Sequence, residues 1–334
     1  MTQPFDRRIG IWLLFVAFLI YLMIAIGGYT RLSDSGLSMV DWKPVSGWLP
    51  PLSEQAWQNE FKSYQESPEF IEINFDMDLS GFKSIYYPEF FHRVFGRIIG
   101  LAFFLPFFYF IWRKRLHGPK MWRYLTFGLL GGLQGGIGWF MVKSGLSDDP
   151  HVSAYRLAMH LSLAGFILWL CFSYGLREVF KIPRDKAQPF KWLIALVALQ
   201  ICSGAFVSGQ KAGVAFRAAM SFNFDVLWLP ELGLRNLTEN LATVVFIHVN
   251  LGLIVFLFVL IQSIGALLKY SQKTPAFLLL VSIIAQVTLG FTTAANYSPR
   301  PLALSLAHQL VAFAVLLTLS CCSLICSNRK LADT

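Results

Sequence analysis

Eight apolar stretches, each about the length a helix needs to cross a bilayer, constrain this chain more than any other feature. They lie near 9–29, 92–112, 122–142, 157–178, 190–208, 243–265, 274–295 and 302–326. The background fits, since 55% of the 334 residues are hydrophobic and 14% charged, where soluble domains carry about 25% charged residues. A mean hydropathy of +0.55 leaves a water-soluble fold nowhere to hide its apolar surface. The first stretch follows Arg7 and Arg8, as a signal peptide would. It is too long for an h-region, and Ile26-Gly27-Gly28-Tyr29 offers no small-residue cleavage site, so it reads as a retained helix. The stretches do not alternate as barrel strands do. The expected fold class is an all-α integral membrane protein with eight transmembrane helices, surrounded by lipid. A formal charge of +9 would suggest a nucleic-acid partner in a soluble protein, but the apolar fraction excludes one here.

Lysine and arginine set the orientation. The N-terminus, the second, fourth and sixth loops and the C-terminal tail hold sixteen bases, Arg184, Lys186, Arg329 and Lys330 among them. They face four acids there, Asp6, Glu178, Asp185 and Asp333, while the rest of the chain has twelve bases and fifteen acids. Both termini are therefore expected in the cytoplasm, with the long loops 30–91 and 209–242 outside. No long Arg-rich transit segment precedes the first span, which favours a bacterial inner membrane over an imported mitochondrial precursor. Cys171, Cys202, Cys321, Cys322 and Cys326 all fall inside spans, so no outer-loop disulfide is expected, and the last three read as small packing residues.

The spans divide into two halves of four, 1–185 and 186–334, with weak self-similarity. Gly27-Gly28-Tyr29-Thr30 at the end of the first span resembles Gly204-Ala205-Phe206 at the end of the fifth. Glu89-Phe90-Phe91-His92 resembles Val245-Phe246-Ile247-His248. Gln134-Gly135-Gly136-Ile137-Gly138 resembles Gln286-Val287-Thr288-Leu289-Gly290, and Ala158-Met159-His160 resembles Leu306-Ala307-His308. Each half has an even number of spans, so the repeats run parallel, against the inverted-repeat transporter pattern. Two parallel four-helix-bundle repeats are the expected layout.

Six histidines carry most of the chemistry. His117 and His151 fall in loops and read as solvated. His92, His160, His248 and His308 each fall near the start of an even-numbered span, so all four are expected near the outer membrane face. A lone histidine in a span usually packs as an interhelical hydrogen-bonder. Four at one depth, two per repeat, instead suggest ligation, because ionisable groups at membrane depth are costly and mark function. Neutral imidazole binds iron well, and facing helices can hold a porphyrin between two axial histidines. Zinc or copper would want three or four converging ligands, often with carboxylate or thiolate. Two separate pairs suit two haems better.

Glu89 lies one helical turn before His92, while the second half has Val245 at that position, so only one candidate haem site has an acid beside it. Glu89 equally reads as a membrane-surface acid paired with Arg93. Arg93, Arg97 and Arg156 read either as partners for haem propionates or as side chains snorkelling to headgroups.

At this point a family resemblance is visible. Gly28-Tyr29-Thr30-Arg31-Leu32-Ser33-Asp34-Ser35-Gly36-Leu37-Ser38-Met39-Val40-Asp41-Trp42 resembles the first outer-loop signature of the heme A synthases. Pro88-Glu89-Phe90-Phe91-His92-Arg93-Val94-Phe95-Gly96-Arg97, Gly131-Gly132-Leu133-Gln134-Gly135-Gly136-Ile137-Gly138-Trp139 and Tyr155-Arg156-Leu157-Ala158-Met159-His160 continue it. The cysteine-free outer loops resemble the proteobacterial and mitochondrial branch. The second half departs: Phe216-Arg217-Ala218-Ala219-Met220 stands where the family usually has a Tyr-Asn-(Ser/Thr)-Phe-Pro run, and His248-Val249 where it has His-Arg. Trp228-Leu229-Pro230-Glu231 and Ala307-His308-Gln309 match.

The resemblance implies a membrane oxidoreductase that converts a ring methyl of heme O to a formyl group, making heme A for terminal oxidases. It implies His92 and His160 as ligands of the substrate haem and His248 and His308 as ligands of a heme b cofactor. Glu89 is then the catalytic carboxylate, a base activating water while the second haem passes electrons to an acceptor. A heme O synthase is an implied partner. Two other functions share the four-histidine layout: a bis-histidine diheme cytochrome serving quinol electron transfer, and a haem-binding assembly factor without turnover.

Overall fold

The computed structural model describes residues 4–43, 45–146, 150–183, 190–297 and 301–325. Arg184, Asp185, Lys186, Cys326, Arg329, Lys330 and Asp333, used above for charge and cysteine placement, lie outside the described residues. Among the described residues the chain forms helices α1 (Arg7–Leu32), α2 (Glu54–Gln65), α3 (Pro68–Glu72), α4 (Leu79–Trp112), α5 (Gly118–Gly145) and α6 (Ala154–Phe180). They continue with α7 (Lys191–Gly209), α8 (Phe216–Ala219), α9 (Phe224–Leu227), α10 (Asn236–Glu239), α11 (Leu241–Lys269), α12 (Thr274–Ala295) and α13 (Leu302–Ile325). Of these, α1, α4, α5, α6, α7, α11, α12 and α13 are long and apolar enough to cross a membrane. The chain is a multi-pass, all-helical integral membrane protein. Side chains such as Phe15, Phe18, Leu105 and Phe108 are exposed, as lipid-facing residues of spanning helices must be.

Seven spans begin and end within four residues of the apolar runs read from sequence; α4 does not. It starts at Leu79, well before His92, because polar and apolar signals combine there. The Asp78 carboxylate caps the helix by accepting from the Gly81 amide at 2.7 Å. Phe82, Tyr86 and Phe90 then recur every fourth residue and are buried. Pro88 sits inside this helix, where its carbonyl accepts a hydrogen bond from Thr30 Oγ1 of α1 at 3.3 Å.

Contacts divide the chain into two compact units, Phe18–His160 and Met1–Ala17 with Leu161–Thr334. In the first, α2 and α3 lie outside the spans and share an aromatic core with the start of α4. Met39, Trp57, Phe61, Tyr64, Phe82, Tyr86 and Phe90 form that core. Trp57 meets Tyr86 edge-on with centroids 4.9 Å apart, a preferred aromatic geometry. The Tyr64 hydroxyl donates to Glu69 at 3.0 Å, and burial together with that carboxylate pushes its pKa well up, so it stays a donor.

In the second unit, α7 packs on α11 and α13, α11 on α12, and α12 on α13, closing a ring of four helices. The divergent 209–242 segment is ordered by asparagines. Asn236 accepts from the Leu229 amide at 2.9 Å and donates to the Leu229 carbonyl at 2.7 Å. Asn240 donates to the Val226 carbonyl at 3.0 Å and caps α11 by accepting from the Ala242 and Thr243 amides at 3.0 and 3.3 Å. Losing such a cap costs about 1 kcal/mol, and the carbonyl stranded at Val226 adds a similar amount. Asn240→Ala is therefore expected to lower the melting temperature in detergent and speed proteolysis within 210–240. Unchanged cleavage would show that the asparagine network does not hold this segment.

Candidate functional site

The four spanning histidines share one packing contact, made at the Nε2–Cδ2 edge of the ring in His92 and at the Cε1–Nδ1 edge in the other three. Each imidazole packs on a glycine of the preceding spanning helix, so closely that a methyl group there would collide or press on the ring. A Cβ on Gly27 would stand 2.9 Å from His92, on Gly138 2.9 Å from His160, on Gly204 3.1 Å from His248, and on Gly290 2.9 Å from His308. Glycine removes the one group that would keep the helix backbone from the ring. All four histidines stay half-buried, which leaves ring surface for a ligand, whereas His117 and His151 are exposed.

Three of the rings also meet a glutamine four residues before that glycine. Gln134 Nε2 lies 3.1 Å from His160 Nδ1 and donates to the His160 carbonyl at 3.0 Å. Gln200 repeats this on His248 at 3.1 and 3.0 Å, with Ser203 Oγ at 3.3 Å from the same Nδ1. Gln286 Nε2 reaches His308 Nε2 more weakly, at 3.4 Å. The Oε1 atoms of all three glutamines are buried without a hydrogen-bond partner. When Nε2 of an imidazole holds a metal, the ring proton sits on Nδ1 and needs an acceptor. An idle amide oxygen on the side chain that already meets the ring can supply one by rotating about its last bond.

The second-half histidines are close enough to act as a pair. Two imidazoles bonded to one metal from opposite sides at about 2 Å put their centroids roughly 6 Å apart. The His248 and His308 rings stand 6.4 Å apart, with planes at 84°. Among the described residues, no three or more His, Cys, Asp or Glu side chains gather for a metal ion. The donor set thus fits two bis-imidazole haem sites better than a zinc or copper cluster. Ala25, Ile26, Tyr87, Pro88 and Phe91 line an open, mostly apolar cleft of about 560 Å³ between α1 and α4.

Glu89 is 3% exposed and its carboxylate is fully engaged. Oε2 accepts from Ser38 Oγ at 2.7 Å and the Met39 amide at 2.9 Å, and Oε1 accepts from Arg93 Nη2 at 2.5 Å and Nε at 3.1 Å. Arg93 also donates to the Met39 and Asp41 carbonyls at 2.7 and 2.8 Å. Arg97 donates to the Lys43 carbonyl, and its guanidinium lies 5.8 Å from the Trp48 ring. Arg156 donates to the Phe140 carbonyl at 2.7 Å with its guanidinium over the Phe140 ring. Each of the three arginines is held against a backbone carbonyl. Serine, arginine and glutamate together tie segment 38–43 onto α4.

With this geometry in view, the comparisons with known proteins are clear. The COX15-CtaA family of cytochrome oxidase assembly proteins matches residues 10–320. This chain belongs to that family. It is 40% identical to the heme A synthase of Nitrosospira multiformis, over 91% of this chain and 89% of that one. It is likewise 40% identical to the heme A synthase of Azorhizobium caulinodans, over 93% and 92%. The heme A synthase of Beijerinckia indica is 42% identical, over 94% and 92%. No solved structure matches.

Sequence reading located the histidines and Glu89 but not what holds them. Gln200, Ser203 and Ser38 were missed, although Gln-x-x-x-Gly in three odd-numbered spans was a usable signal. The Glu89–Arg93 clamp generates a direct expectation. Arg93→Lys keeps the charge but loses the fork that spans Glu89, Met39 and Asp41. A loss of about 1.5 kcal/mol would raise amide exchange at Met39 roughly ten-fold. Exchange at wild-type rate would show that the clamp does not hold the segment.

Proposed function

We propose that this chain is a heme A synthase, oxidising a ring methyl of heme O to a formyl group. The observation that carries this reading is the fourfold histidine–glycine contact in a member of this family, which supports two bis-imidazole sites. His92 and His160 are the ligands of the substrate, heme O. His248 and His308 are the ligands of a resident heme b, which when bound supplies one-electron redox chemistry. The halves 1–185 and 186–334 then form two parallel four-helix repeats, one per haem. The charge asymmetry supports cytoplasmic termini in a bacterial inner membrane. A heme O synthase is the natural supplier of the substrate.

In this reading the chain's own residues bind, orient and handle protons. The imidazoles fix the substrate's iron, and through it the ring, relative to α4. Glu89, one turn from His92, is the catalytic carboxylate. Making a formyl from a methyl adds oxygen from water and releases protons and electrons, so a base beside the ring is required. To accept a proton, Glu89 must give up one donor, and the Ser38 hydroxyl is the one that can rotate away without breaking backbone contacts. Arg93, Arg97 and Arg156 lie on the same helices as the substrate ligands and are the candidate propionate contacts, each by exchanging a backbone carbonyl for a carboxylate.

Glu89→Ala is expected to keep both haems yet accumulate heme O or a hydroxylated intermediate, read by pigment extraction and chromatography. Normal heme A output from that variant would overturn the assignment of Glu89. A preparation yielding only heme b would instead favour a diheme cytochrome. Gly290→Ala presses a methyl into the His308 ring. It is expected to lower haem content to about one per chain with helix content unchanged, and two haems per chain would sink the cofactor-site assignment.

A further inference from the structure

The glutamine contact is missing from one histidine. Counting four residues back from the packing glycine gives Gln134 for His160, Gln200 for His248 and Gln286 for His308, but Met23 for His92. Met23 occupies the same place on α1, since a Cβ on Gly96, one turn beyond His92, would meet its methyl at 3.3 Å. A thioether offers neither an N–H nor a good acceptor. Among the described residues the His92 ring makes no hydrogen bond to protein, whereas His160 is held by Gln134 through ring and carbonyl together. The open α1–α4 cleft lies on this same seam.

We propose that Met23 makes His92 the labile ligand of the substrate site, so that this haem exchanges while the haem on His248 and His308 stays. A haem that must enter as substrate and leave as product needs one ligand that lets go. An imidazole whose ring no amide touches turns more freely, and lets go more readily, than one tethered by an amide. Met23 and the three glutamines act through the histidines and are positioning residues. The inference rests on the assignment of His92 and His160 to the substrate haem.

The test follows haem loss from the full-length, haem-loaded protein in detergent to excess apomyoglobin, read by visible absorption. Wild type is expected to lose one haem in a fast phase and one in a slow phase. Met23→Gln, nearly equal in volume, should slow the fast phase roughly five-fold, the worth of one hydrogen bond, and leave the slow phase alone. Gln134→Met should speed the fast phase and Gln200→Met the slow one, each by a similar factor and with the low-spin spectrum kept. Two phases with the fast one unmoved by Met23→Gln would overturn the inference while the substrate-site assignment stands. A single haem per chain and a single phase would overturn that assignment and the inference with it.

Discussion

Everything else in this molecule depends on keeping four imidazoles inside an apolar helical layer. A polar ring there is costly unless it is bonded or ligated, and bulky unless its neighbour yields space. Two residue types solve the two problems. Glycine on the preceding helix admits the ring at 2.9–3.1 Å from where a Cβ would stand. Glutamine one turn earlier brings an amide to the ring in three of the four cases, and to the histidine's own backbone carbonyl in two of them. Four residues are about one helical turn, so glycine and glutamine fall on the same helix face. The motif is thus a consequence of helix geometry once a histidine must be seated.

Outside the spans the two long loops are built by different means. The 33–78 segment relies on aromatic packing, with α2 and α3 sharing a core with the extended start of α4. The 209–242 segment has few buried large side chains and is stitched by Asn236, Asn240 and Thr243 to backbone carbonyls and amides. Aromatic cores tolerate changes of residue type if volume is kept, whereas side chain-to-backbone stitches depend on particular asparagines.

The spans were legible in the sequence because bilayer thickness imposes length and composition on each helix. The histidines stood out because charge-capable groups are rare at that depth. What could not be read was anything decided between helices. Leu79 as the start of α4 depends on an aspartate cap and on a core shared with α2, and hydropathy sees neither. Gln200 looked like one polar residue in an apolar run until His248 was placed beside it. The pairing of Arg97 with the Lys43 carbonyl joins residues far apart in sequence, and no local pattern announces it.

Glu89 offered two readings in the sequence, an acid beside a haem or a partner for Arg93; the structure pairs it with Arg93, and in the proposed function that pairing is what would hold it for the first role. Its carboxylate accepts from Arg93 and from the Ser38–Met39 segment at once, so the signature loop, α4 and the acid move as one body. A buried carboxylate without such donors would neutralise or find water. With them it is fixed one turn from His92. Fixing also limits it, because a base whose lone pairs are all occupied must release a donor before it takes a proton. Of its partners only the Ser38 hydroxyl can turn without disturbing an ion pair or a backbone amide. In the proposed reaction any proton taken by Glu89 is therefore coupled to a rotation of Ser38, and through it to the 38–43 segment held on α4.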